Sequence, residues 1–167
     1  VKSLRLAIVA QGGNGMNMRE RIMSAMKMAM KDKDTLRVST LRLINAAIKE
    51  REIALRSNED AGEIDADEIL QILSKMVKQR DDSVKAYDDA GRDDLAARER
   101  SEIKIIREFL PKPLTEEEVV KAVEDAIKDT GASSIKDMGK VMGALKAQYT
   151  GRMDFGAAGA SVKAALA

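Results

Sequence analysis

A chain of 167 residues, 44% of them hydrophobic, is long enough for one medium domain or two small ones, and it carries neither cysteine nor histidine. Disulfides, thiolate nucleophiles and metal sites, the Ser-His-Asp and Cys-His constellations and the HExxH zinc site are thereby excluded. Net charge is only +1 but is blocky, with ten Lys/Arg against five Asp/Glu over residues 16–57, five against twelve over 58–95, and five against two over 131–167. A local basic face is therefore allowed although the overall balance is neutral.

Aromatic residues make up 2% of the chain, so the core must be built from Leu, Ile, Val, Ala and ten Met. With Lys, Glu and Arg, that palette favours helices. No phosphate-cradling GxxxxGK[ST] or GxGxxG pattern occurs, and the residues imply no catalytic group, metal ligand or cofactor. No apolar run approaches the ~20 residues of a membrane span, so a soluble cytoplasmic protein without a membrane partner is expected.

Residues 1–15 lack helical periodicity and end in Gly12-Gly13-Asn14-Gly15; with Met16 and Met18 following at once, residues 1–17 read as an extension and 18–110 as an N-terminal helical domain. The first predicted helix, about 18–32, aligns Ile22, Ala25, Met26, Ala29 and Met30. Its methionines Met23, Met26, Met28 and Met30 suit core filling, or a docking groove should they lie exposed. Asp34 or Thr35 starts the second, about 35–57, with Leu36, Leu43, Ile44, Ala47, Ile48 and Leu55 as apolar positions. Asn58 to Ile64 reads as a loop. Asp65 caps a third helix to about Asp89, with Glu68 in capping-box position and Gly91 as a left-handed stop. The fourth, about 93–109, carries Leu95, Ala96, Ile103, Ile106 and Phe109. Lys78, Arg80, Glu99 and Glu102 suggest exposed ion pairs between these two helices, which contribute little. Asp81-Asp82, Asp88-Asp89 and Asp93-Asp94 diverge by about 100° per residue and read as solvated faces rather than metal or acid–base sites.

Pro111-Lys112-Pro113 stops the fourth helix and opens a tail of three helices, 111–167. Thr115 with Glu118 caps the fifth helix, which ends at Gly131. Ser134 with Asp137 begins the sixth, which ends near Gly151, and Asp154 caps the last, through Leu166. The expected fold is all-α, a four-helix front piece and a compact three-helix tail.

The sixth helix is the most informative. Ile135, Met138, Val141, Met142, Leu145 and Tyr149 fall on one face, and Gly139, Gly143 and Ala147 form a bare strip beside it, bordered by Lys136, Lys140 and Lys146. Glycine inside a helix costs roughly 0.8–1 kcal/mol relative to alanine, so two glycines a turn apart call for a close approach by something. A phosphate backbone held by the lysines fits, and so does a second helix packed on the glycines.

The tail resembles the C-terminal domain shared by the B subunit of the glutamyl/aspartyl-tRNA amidotransferase and the YqeY-like family. The resemblance is carried by Leu110-Pro111-Lys112-Pro113-Leu114-Thr115-Glu116-Glu117-Glu118, by Lys136-Asp137-Met138-Gly139-Lys140-Val141-Met142-Gly143, by Gly151-Arg152-Met153-Asp154 and by Val162-Lys163 to Leu166. The front piece resembles YqeY-like proteins in Ala29-Met30-Lys31-Asp32-Lys33-Asp34, Thr40-Leu41-Arg42-Leu43-Ile44, Lys78-Gln79-Arg80-Asp81-Asp82-Ser83 and Ala90-Gly91-Arg92-Asp93-Asp94-Leu95. It implies a tRNA-associated accessory protein whose tail contacts RNA through Lys136, Gly139, Lys140, Gly143, Lys146, Arg152 and Lys163. A helical interaction module for an aminoacyl-tRNA synthetase or amidotransferase is the alternative. An amidase or carbon–nitrogen ligase activity with glutamine as amido donor comes third, as a family label that no residue constellation here supports.

Overall fold

The computed structural model describes residues 16–56 and 64–167, and these form seven α-helices with no strand among them. The expected extension lies outside the described residues except for Met16 and Asn17, and the expected 58–64 loop except for Ile64. The chain divides into two compact units, one up to Pro111 and one from Lys112.

The first unit holds α1 (Met18–Lys31), α2 (Thr35–Arg56), α3 (Ala66–Asp89) and α4 (Asp93–Arg107). Asn17 opens α1 with a reciprocal capping box: its side chain accepts from Glu20 N at 2.9 Å while its own N–H donates to Glu20 Oε2 at 3.1 Å. Asp34 Oδ1 accepts from Arg37 N at 3.1 Å to start α2, and Asp65 Oδ1 accepts from Glu68 N at 2.8 Å to start α3. Ile64, expected in the loop, is buried; it stands just before the Asp65 cap with buried Ile69 at the staple position one turn in. Gly91, at φ +70°, turns the chain from α3 into α4.

α1 runs antiparallel to α2, since Arg19 near the start of α1 pairs with Glu52 near the end of α2. α4 returns along α3, with Asp88 paired to Arg100 at 2.6 Å and Asp81 to Arg107 at 3.8 Å. One apolar cluster joins all four helices, with Ile22, Leu41, Ile44, Leu73 and Ile106 fully buried. Each such side chain contributes about 1.5–3 kcal/mol by leaving water. Two apolar expectations fail here. Leu43 is exposed, because it sits roughly 130° round α2 from the buried stripe of Leu41, Ile44 and Ile48. Met23, Met28 and Met30 are exposed too, leaving only Met26 of the expected filler against the core.

The second unit holds α5 (Glu116–Thr130), a 3₁₀ turn (Ile135–Asp137), α6 (Met138–Tyr149) and α7 (Phe155–Leu166). Thr115 Oγ1 accepts from Glu118 N at 3.2 Å at the start of α5, and Gly131 ends it in the left-handed conformation at φ +67°. Asp154 Oδ1 accepts from Gly156 N at 2.8 Å and caps α7. A second cluster unites the three helices around Val141, Leu145 and Val162. Ile135, expected on the same apolar face, is exposed. It lies in the 3₁₀ turn ahead of α6, and the face packed in the cluster begins at Met138.

Candidate functional site: the outer face of α6

The buried side of α6 is fixed by Val141 and Leu145, with Met138, Met142 and Tyr149 packed around them. At about 100° per residue, Gly139, Lys140, Gly143, Lys146 and Ala147 share an arc of roughly 120° on the other side, and all five are exposed. Lys136 is exposed just before them, in the 3₁₀ turn.

A β-carbon built at Gly139 or Gly143 meets no atom within 4 Å. The strip is open, and neither glycine seats a helix of this unit. That role falls to Gly159 on α7, where a β-carbon lies 3.6 Å from Met138 Cε and 3.8 Å from Met142 Cε. The sequence signal for that contact is the small-residue run Gly156-Ala157-Ala158-Gly159-Ala160. Lys163 follows one turn beyond Gly159 and is exposed at the edge of the α6–α7 seam.

Among the described residues, Lys136, Lys140, Lys146 and Lys163 form no ion pair. The acid closest to them in sequence, Asp137, is turned to local use. Its Oδ2 accepts from Ser133 N at 3.0 Å and Ser134 N at 3.2 Å, completing the cap of the 3₁₀ turn. Those two backbone donors, aided by the Lys140 charge, hold its carboxyl below the usual aspartate range.

Arg152 is engaged differently. Its Nε donates to the Lys112 carbonyl at 3.0 Å, and its own carbonyl accepts from Leu114 N at 2.8 Å. The guanidinium thus straps the entering chain to the loop between α6 and α7, a structural task that sequence reasoning does not anticipate. The structure therefore brings Lys136, Gly139, Lys140, Gly143 and Lys146 to one face, sets Lys163 on the adjoining helix, and gives Arg152 an internal partner.

Chemically, such a face offers point charges for anions beside backbone that a flat, charged ligand can approach. It presents no nucleophile–base pair. Among the described residues no group of three acidic side chains is placed to hold a metal ion, and no helix is long and apolar enough to cross a membrane.

No curated protein matches the chain. A protein family does: the one described as Yqey-like protein aligns with residues 19–166, through both units and all seven helices. With nearly its whole length covered, the chain belongs to the YqeY-like family.

Proposed function

We propose that the tail unit binds the sugar-phosphate backbone of structured RNA, tRNA first of all, through the outer face of α6. The observation that carries this reading is the open Gly139/Gly143 strip bordered by unpaired lysines. Lys136 and Lys140 bracket phosphates on one border and Lys146 serves the other, with Lys163 joining from α7. The glycines let ribose and phosphate reach the helix backbone. Recognition of this kind reads shape and backbone, which suits folded RNA. The resemblance of this tail to that of the tRNA-dependent amidotransferase B subunit favours tRNA over other RNAs and supports a translation-associated role, for which a cytoplasmic setting is the natural one. Arg152 supports the face by holding its scaffold, with its terminal nitrogens left to face a phosphate.

The test is tRNA affinity measured against salt concentration. Replacing Lys136→Ala and Lys140→Ala together is expected to weaken binding and to flatten the log–log salt slope by roughly 0.7–0.9 for each phosphate that is no longer neutralised. Gly143→Leu, whose β-carbon meets no atom within 4 Å, is expected to weaken binding by obstruction. Absence of tRNA binding at low salt overturns the proposal.

A further inference from the structure

Of the eight large hydrophobic side chains exposed among the described residues, six lie between Met16 and Ile53, on or beside the first two helices. Four of the six sort onto two helix faces. On α1, Met23, Lys27 and Met30 recur at i, i+4 and i+7 and share one face. On α2, Leu43, Ala46, Glu50 and Ile53 recur at i, i+3, i+7 and i+10. Met23 meets α2 at Asn45, whose Nδ2 lies 3.8 Å from Met23 Sδ and 3.7 Å from Met26 Sδ. Ile53 stands about 80° round α2 from Asn45 and Leu43 about 160°, so the Ile53 edge of the second face adjoins the first while Leu43 lies on the far side. Between Asn45 and Ile53 round the circumference of α2 come Lys49 and Arg42.

The basic residues of these helices sort by face. Arg19, Arg37 and Arg51 are matched inside the unit by Glu52, Glu108 and Glu68. Lys27, Arg42 and Lys49, on the apolar outer face, form no ion pair among the described residues. Glu50 is the one carboxylate in their midst, and Glu20 is spent on the α1 cap. The face thus combines flexible apolar side chains with an excess of unmatched positive charge.

We propose that the outer face of α1 and α2 docks an acidic amphipathic helix of a partner protein. Its apolar side chains rest on Met23, Met30, Ala46 and Ile53, and its carboxylates meet Lys27, Arg42 and Lys49. Methionine suits such a groove because its unbranched thioether adapts to the partner's shape. A lipid surface or unpaired bases would call for aromatic side chains, and neither helix contains one. This surface lies wholly in the first unit and stands or falls separately from the RNA-binding face.

The experiment follows the methionine methyl resonances of the full chain while a synthetic acidic amphipathic helix of about 18 residues is added, with Leu at i, i+3, i+4 and i+7 and Glu alongside. The Met23 and Met30 methyls are expected to shift. Met28, about 140° away round α1, and Met142 in the tail are expected to stay in place. Lys27→Glu with Lys49→Glu is expected to weaken the peptide at least about tenfold, as is Met23→Gln with Met30→Gln. Unchanged melting temperatures in both variants show that the fold is intact. Lys136→Ala with Lys140→Ala is expected to leave peptide binding unaltered. The proposal is overturned if the peptide shifts no methyl at ~1 mM, a concentration that detects about −4 kcal/mol of binding. It is equally overturned if a Lys-for-Glu peptide binds as well, or if tRNA or phosphatidylglycerol vesicles move the Met23 and Met30 methyls and the acidic peptide does not.

Discussion

Glu102 is a carboxylate set among the core residues of α4, only 7% exposed, beside Ile103 and Ile106. Arg80 from α3 reaches it with Nε at 2.9 Å and donates Nη1 to the Met76 carbonyl at 3.1 Å, while Arg98 Nε approaches the other oxygen at 3.5 Å. Removing one partner of a buried pair strands the other charge away from water. Glu102→Ala is therefore expected to lower unfolding stability by roughly 3 kcal/mol in a urea titration. The double replacement Arg80→Met with Glu102→Leu is expected to recover most of that deficit, because apolar side chains of similar volume fill the same space. The residues alone suggest an exposed pair of little weight. Sequence spacing shows that two side chains can meet across a helical hairpin, but it does not show how deep the meeting point lies. Depth depends on the tilt of α4 against α3, which tertiary packing decides.

At the scale of elements, the helix boundaries were legible because their signals are local and chemical. Asp65, Thr115 and Asp154 each accept from backbone N–H groups of the turn they begin, and Gly91 and Gly131 take the left-handed conformation that ends a helix. What escaped was the extent of the apolar face. Ile135 is exposed in the 3₁₀ turn ahead of α6, although periodicity assigns it to that face, and the packed stretch begins at Met138. The role of the α6 glycines was half legible: their spacing marks a bare strip, but only the positions of the neighbouring helices show it to be open, with Gly159 taking the packing role. This separates two substitutions that look alike on paper. Gly143→Ala is expected to raise thermal stability, by up to about 0.8–1 kcal/mol, since the helix gains a better former and nothing is displaced. Gly131→Ala is expected to lower it by about 1 kcal/mol, since a β-carbon is strained at positive φ. Paired thermal melts of the two variants check both signs.

At the scale of the molecule, the buried apolar side chains of the described residues gather, Ala96 apart, in two clusters, one built mainly by α1 to α4 and the other by α5 to α7. Each has its own caps and its own fully buried side chains. The fragment 112–167 is accordingly expected to fold alone, with helical circular dichroism and a cooperative melt, although a domain of this size has little surface to bury and will be modestly stable. A fragment that is unfolded at low temperature would show that the tail depends on the helices before it. The all-α class and the order of helices were readable from composition and the two prolines. The exposed methionine face was not, because a methionine on a helix reads as core until neighbouring helices are seen to cover other sides.

The Arg152 strap has a mechanical consequence. Two hydrogen bonds, from its guanidinium to the Lys112 carbonyl and from Leu114 N to its own carbonyl, moor the incoming polypeptide to the loop ahead of α7. Tension along the polypeptide arriving at Lys112 is therefore borne by that mooring before it reaches the Thr115 cap, and the first turn of α5 is shielded from being peeled open.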